Sequence, residues 1–104
     1  MIIRIFRAYV HDGKQEEFQQ FFLETALPLV KQQEGLVSAT IGTPVPSTPN
    51  EFVMITTWKD LDSLKHFAGE HWEKAVIHPK EQHLLFNTTV HHYEGVAVNA
   101  EAQG

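Results

Sequence analysis

The first ten residues constrain the fold most, because they have apolar side chains on both sides of a predicted β-strand. Successive side chains of a strand point to opposite faces of a sheet. In the segment 2–10 the two apolar sets are Ile2, Phe6 and Val10 on one face and Ile3, Ile5 and Tyr9 on the other. Both faces of this strand therefore need cover, and the chain has to build a sheet that is not left bare on either side.

A long amphipathic helix is predicted after this strand. Apolar residues at helical spacing form one stripe along the segment 18–30, and the helix is expected to end just before Gly35. Asp12 and Gln15 have the spacing of an N-terminal capping pair. Pro28 lies inside the helix, where proline removes a backbone donor, so a kink or break is expected in the preceding turn.

The rest of the chain completes a recognisable order of elements. We expect strands at 36–42 and 51–58 joined by a proline-rich connection, a second helix from Asp60 to Gly69, short helical pieces at 72–76 and 84–86, and a fourth strand at about 88–98. The order β, α, β, β, α, β predicts a ferredoxin-like α+β domain with a four-stranded antiparallel sheet. This domain is expected to cover residues 1–98, followed by a frayed tail at 99–104.

Such a sheet carries its helices on one face only, so the other apolar face needs a separate cover. A second copy of the chain is the simplest one, and we expect a homodimer. The net charge of −5 disfavours binding to nucleic acid or to anionic lipid. Cysteine is absent and no apolar run reaches about 18 residues, so we expect no disulfide, no membrane span and a cytoplasmic location.

Three segments resemble a known family. TTWKDLDSLKHFAGE at 56–70, AVIHPKE at 75–81 and VHHYE at 90–94 are similar to the antibiotic biosynthesis monooxygenase domain, a dimeric α+β barrel. The superfamily contains cofactor-free oxygenases that act on polyketide anthrones and quinols, haem-degrading oxygenases, and members without a known role. The resemblance also implies that the last strand, with Tyr93 and Glu94, extends onto the partner subunit.

The haem-degrading branch fits this sequence poorly. Its members use an asparagine on the first strand, a tryptophan on the second helix and a histidine beyond that helix. Here the first strand has no asparagine, Phe67 stands at the tryptophan position, and His78 lies about one place from the expected histidine. The resemblance therefore argues against haem degradation by that mechanism.

Seven histidines raise the question of a metal site. His66 and His71, like His78 and His83, are five residues apart, which on a helix separates two side chains by about 140°. His91 and His92 are adjacent on a strand and point to opposite faces. Because no compact pair of ligands emerges, we expect neither a metal nor another cofactor.

Cofactor-free oxygenation requires an apolar cavity and a base or hydrogen-bonding group that helps to form a substrate anion. The candidates for the cavity wall are Trp58, Phe67 and Trp72, those for the base are His71 and His78, and those flanking the cavity are Arg4 and His92. Each has an alternative role. Ordinary core packing is the favoured role for Trp58 and Phe67, and a surface or structural role is favoured for each histidine taken singly. For Arg4, an ion pair with Glu94 and ligand binding stay open as alternatives.

Two functions from different classes follow. The first is a cofactor-independent monooxygenase acting on a small aromatic or quinol-like compound. The second is a non-catalytic dimeric module that binds a ligand in the same cavity, in a ligand-binding or stress-associated role. Oxygen consumption that falls on substitution of a cavity histidine distinguishes them, because a binding module turns over nothing.

Overall fold

The computed structural model describes residues 1–96 and has the predicted order of elements. The elements are β1 (Ile2–Val10), α1 (Gln15–Phe21), a π-helical turn (Phe22–Ala26), α2 (Leu27–Lys31), β2 (Leu36–Gly42), β3 (Glu51–Trp58), α3 (Leu61–Ala68), a 3₁₀ turn (Gln82–Leu84) and β4 (Leu85–Glu94). The predicted tail at 99–104 lies outside the described residues. No described helix is long and apolar enough to cross a membrane.

The four strands form one antiparallel sheet in the order β2-β3-β1-β4. This is the ferredoxin-like arrangement that the sequence predicts, with β1 at the centre. Arg4 on β1 is paired with Thr56 on β3 and with His92 on β4. These three side chains consequently form one row across the middle of the sheet, on the face that the helices cover.

The core lies between the sheet and the helices. Phe18 of α1, Phe22 of the π turn and Phe52 of β3 are all buried. The ring centroid of Phe18 lies 4.9 Å from that of Phe22 and 4.9 Å from that of Phe52, within the range of favourable aromatic contacts. The opposite face of the sheet carries no helix, and its half-buried apolar side chains are Ile3, Ile5, Tyr9, Val53 and Ile55.

The first helical region begins and bends differently from the prediction. Asp12 does not cap α1: its carboxylate accepts a hydrogen bond from the Asn50 amide (2.7 Å), and Lys14 occupies the N-cap position without a side-chain bond. Instead of a break, a π turn precedes Pro28, in which the N–H of Leu27 donates to the carbonyl of Phe22. The wider turn relieves the proline's clash with the preceding carbonyl, so the helix continues to Lys31.

The second helix agrees with its predicted cap. The Asp60 carboxylate accepts hydrogen bonds from the backbone N–H of Ser63 (2.8 Å) and from its hydroxyl (2.7 Å). These bonds lower the pKa of Asp60 below its usual value. The helix ends at Gly69, whose φ of 83° is a left-handed conformation that glycine adopts without strain.

The region after Gly69 departs most from the predictions. The expected helix at 72–76 is absent, and this stretch consists of turns and irregular backbone. The helical piece expected at 84–86 is a 3₁₀ turn at Gln82–Leu84, and β4 begins at Leu85 and ends at Glu94. The spacing of Trp72, Ala75 and Val76 resembles a helical stripe, but the carbonyls of Trp72 and Lys74 accept hydrogen bonds from the Arg4 guanidinium.

Candidate functional site: an apolar cavity with a buried arginine and a buried glutamate

A cavity of about 310 Å³ lies between the sheet, the first helical region and the irregular segment 76–81. Its apolar lining includes Phe6, Phe21, Phe22, Met54, Phe67 and Ile77. Among residues 1–96, four polar side chains reach it, namely Arg4, Thr56, His78 and Glu81. An apolar pocket of this size with a few converging polar groups has the usual character of a small-molecule site.

Arg4 is a buried cation that has no carboxylate partner in the described part of the chain. Its side chain is 4% exposed, and burial lowers its pKa to about 10, so it stays charged at neutral pH. Nη1 donates to the carbonyl of Trp72 (2.7 Å), and Nη2 donates to that of Lys74 (3.0 Å). The alternative role of Arg4 as the ion-pair partner of Glu94 is wrong, because the Glu94 carboxylate lies at the exposed strand end, 3.6 Å from the terminal amine of Met1.

His92 lies directly against Arg4. Nη1 of Arg4 lies 3.2 Å from Nε2 of His92, and since a guanidinium only donates, this ring nitrogen is the acceptor. Burial, followed by the charge of Arg4, lowers the pKa of His92. Its ring also makes an edge contact with Trp72, at 5.0 Å between centroids. His92 therefore supports Arg4 from behind and does not line the cavity.

The Arg4 guanidinium has N–H groups that remain available to a ligand. A guanidinium carries five N–H groups, and the contacts to Trp72, Lys74 and His92 use three of them. Within residues 1–96, the Nε–H and one N–H of Nη2 have no protein acceptor. A buried positive charge with free donors beside an apolar cavity favours an oxygen atom that carries negative charge.

Glu81 is the second buried charge-bearing group, and sequence reasoning missed it. Its side chain is 4% exposed and lines the cavity. Oε2 accepts a hydrogen bond from the backbone N–H of His78 (3.0 Å), and no cation lies within ion-pair distance in the described part of the chain. Burial raises the pKa of Glu81 to about 7, with the bond from His78 acting in the opposite direction.

This raised pKa predicts a pH-dependent stability. The folded chain keeps the Glu81 proton to about pH 7, whereas the unfolded chain releases it near the ordinary value of 4.5. The free energy of unfolding should therefore fall as pH rises from about 4.5 to 7, by about 1–3 kcal/mol after allowance for solvent screening. Urea denaturation across this range should show the decrease in the native protein and its loss in Glu81→Gln. Parallel curves for the two proteins would contradict the prediction.

His78 lines the cavity as expected, and its hydrogen bonds restrict what it can do there. The backbone N–H of Lys80 donates to Nδ1 of the ring (3.1 Å). In a neutral imidazole only one nitrogen carries a proton, so an accepting Nδ1 leaves the proton on Nε2. This tautomer favours His78 as a hydrogen-bond donor to a ligand over its role as a base.

The other predicted residues lie at varying distances from the cavity. Phe67 lines it and stacks on Trp58, at 5.2 Å between centroids and 21° between planes. Trp58 lies behind Phe67, fully buried, and its Nε1 donates to the Thr56 hydroxyl (2.9 Å). Trp72 is half-buried outside the lining, and His71 is exposed, so neither is brought together with Arg4, His78 and Glu81 around the cavity.

Comparison with protein families decides the classification. The model of the family described as antibiotic biosynthesis monooxygenase matches residues 1–76. The chain belongs to the antibiotic biosynthesis monooxygenase family. The match includes Arg4, Thr56 and Phe67 and ends before His78 and Glu81, so the family model covers both the sheet side and the helical side of the cavity. A comparison with curated proteins finds no match.

Solved structures agree with this fold. A Deinococcus radiodurans protein described as an antibiotic biosynthesis monooxygenase is 20% identical, with a TM-score of 0.73 over 95% of this chain and 97% of that one. The cofactor-independent oxygenase SnoaB of Streptomyces nogalater is 21% identical, with a TM-score of 0.72 over 95% and 96%. MhuD with two manganese protoporphyrin IX molecules per active site is 15% identical, with a TM-score of 0.71 over 96% and 99%. At these identities the likeness establishes the fold.

Proposed function

We propose that this member of the family is a cofactor-independent monooxygenase that oxidises a small aromatic or quinol-like compound in the cavity around Arg4. The observation that carries the proposal is the combination of a mainly apolar lining with one buried, partly unpaired cation. Apolar walls remove water from the substrate, and the cation stabilises the substrate's anion. Such an electron-rich anion supplies the electrons that reduce oxygen.

The reaction balances without an external reductant if the substrate has an activated ring methylene. Oxidation of CH₂ to C=O releases four electrons, and these reduce one molecule of oxygen completely. One oxygen atom enters the product as the carbonyl, and the other leaves as water with the two hydrogens of the methylene. His78, as a donor, is positioned to hold a substrate oxygen, and Phe67 to pack against the ring.

Oxygen uptake with anthrone or a quinol tests this function. The native protein should consume oxygen, and His78→Ala should lower kcat/KM by about 10-fold or more, the worth of a hydrogen bond to a charged group. His71→Ala should be measured beside it, because the two histidines are the alternatives that the sequence offers. His66→Ala, which alters an exposed position on α3, is the matched control and should retain full activity.

Binding without turnover would favour the second candidate, a ligand-binding module that uses the same cavity. In that case anthrone or a quinol should quench the fluorescence of Trp58 and Trp72 while oxygen uptake stays at the buffer rate. A haem titration provides the remaining comparison. A Soret band that shifts on mixing with the protein would indicate porphyrin binding and would count against the monooxygenase proposal.

We also infer that the protein works as a homodimer in which the helix-free face of the sheet is covered by a second copy. The support is the row of apolar side chains on β1 and β3, with Ile5 paired to Ile55 at its centre. The hydroxyl of Thr89, on the same face of β4, is buried without a hydrogen-bond partner in residues 1–96. A partner subunit would cover the apolar row, and Tyr93 at its margin is half exposed and available for contact.

A further inference from the structure

We propose that the cavity also catalyses an oxygen-independent reaction, the enolisation of a ring ketone, in which Glu81 removes the proton and Arg4 holds the enolate oxygen. The inference rests on the proposed substrate class, because it needs a carbon–hydrogen bond made acidic by a conjugated carbonyl group. It goes beyond the proposed function, because proton removal and return require no oxygen. The substrate class would be a planar conjugated ketone with an acidic ring C–H, of which anthrone is the simplest example.

The first support is the position of the two charge-bearing groups. Arg4 is contributed by the central strand and Glu81 by the irregular segment 76–81, and both line the cavity. They do not form an ion pair with each other. A buried cation and a buried carboxyl group that line one apolar cavity without pairing with each other are both available to one ligand.

The second support is the hydrogen bonding of the Glu81 carboxyl group. Oε2 accepts the N–H of His78, while Oε1 accepts no hydrogen bond from the described residues. Oε1 therefore keeps its lone pairs for a proton from the ligand. Burial raises the pKa of this carboxyl group to about 7, which makes it a stronger base than an ordinary glutamate at the same pH.

The surroundings of Glu81 leave it as the proton acceptor. The other charged or titratable side chains that line the cavity are Arg4 from β1 and His78 from the same segment as Glu81. The linings from α1, the π turn, α2, β3 and α3 are apolar, apart from the hydroxyl of Thr56. Arg4 cannot accept a proton when charged, and the available nitrogen of His78 is already protonated.

The proposed step balances as follows. The C–H bond of the substrate breaks and its proton forms an O–H bond with Oε1 of Glu81. The electron pair of the C–H bond becomes the C=C bond of the enolate, and the π pair of the carbonyl moves onto its oxygen. The free N–H groups of Arg4 donate to that oxygen. Return of the proton from Glu81 to carbon reverses the step, so no electron leaves the substrate.

Hydrogen exchange in heavy water under argon tests the inference. With anthrone as the probe, the native protein should accelerate the loss of the methylene proton signal in NMR spectra. Glu81→Gln should lose about 10²–10⁴-fold of that acceleration, the usual contribution of a positioned base. The glutamine keeps an oxygen that can accept the His78 N–H, so the turn at 78–81 should be preserved, and matching circular dichroism and melting curves would verify this.

The controls separate a base from a merely structural residue. Glu70→Gln makes the same change at an exposed position outside the cavity and should exchange at the native rate. Glu81→Asp should restore part of the loss, because it returns a carboxylate. In the native protein the exchange rate should rise with pH through an inflection near 7, and this inflection should be absent in Glu81→Gln.

The outcomes for the two proposals can be told apart. Exchange at the buffer rate in the native protein, or equal exchange in native protein and Glu81→Gln, would overturn the assignment to Glu81. Exchange that needs Glu81 in a protein that never consumes oxygen would support this inference and remove the monooxygenase proposal. Oxygen uptake that is unaffected by Glu81→Gln, together with no hydrogen exchange, would overturn this inference and support the monooxygenase proposal.

Discussion

Replacing Trp58 by alanine should lower the free energy of unfolding by about 3–5 kcal/mol, the usual cost of truncating a buried tryptophan. Trp58 is fully buried at the end of β3. Its indole stacks on Phe67, and its Nε1–H donates to the Thr56 hydroxyl. The substitution therefore leaves a void in the core and a buried hydroxyl without its donor.

Urea denaturation measures this loss of stability, and two further variants serve as comparisons. Trp58→Phe should cost less, because a ring remains to stack on Phe67. Val37→Ala, at a side chain that is 58% exposed, should change stability by no more than about 0.5 kcal/mol. A loss below about 1 kcal/mol for Trp58→Ala would mean that the indole does not fill the core as the structure indicates.

Replacing Ile55 by lysine should convert the proposed dimer into a monomer. Ile55 lies in the middle of the helix-free face, paired with Ile5 on β1 and with Thr40 on β2. In a two-fold symmetric dimer each substitution occurs twice, so the interface would gain two buried charges without partners. Each buried charge costs several kcal/mol. Since 1.4 kcal/mol is tenfold in affinity, the dissociation constant of the dimer should rise by more than about 100-fold.

Sedimentation velocity at micromolar concentration tests this change. The native protein should sediment as a dimer, and Ile55→Lys should sediment as a folded monomer. Leu23→Lys adds the same charge to the helical layer, at a side chain that is 40% exposed, and should leave the dimer intact. A native protein that sediments as a monomer would refute the dimer proposal, whatever the variant does.

The sheet could be predicted from the sequence because its signals are local. The strands Ile2–Val10, Leu36–Gly42 and Glu51–Trp58 have the bounds predicted from their residue types and polarity patterns. The family resemblance was likewise confirmed by the match over residues 1–76. The chain's own periodicity fixed these elements, and the order of the elements then fixed the topology.

The site could be predicted only in part, because its decisive contacts join distant residues. The carbonyls of Trp72 and Lys74 accept hydrogen bonds from Arg4, which lies 68 and 70 positions earlier in the chain. No residue near Trp72 indicates that Arg4 is its partner, so the local spacing of apolar residues predicted a helix. Glu81 stands in the polar run Lys80–Gln82, which is typical of an exposed surface, and only the folded chain buries it.

The π turn before Pro28 has a consequence for the shape of the cavity. Phe18, Phe22, Ala26 and Val30 follow one another at intervals of four residues. On a regular α-helix each such interval drifts by about 40° around the axis, so three intervals would carry Val30 about 120° away from Phe18. A single wide turn absorbs one residue, equivalent to about 100°, and cancels most of this drift. A proline-bearing helix thus presents one continuous apolar wall from the base of the core to the rim of the cavity.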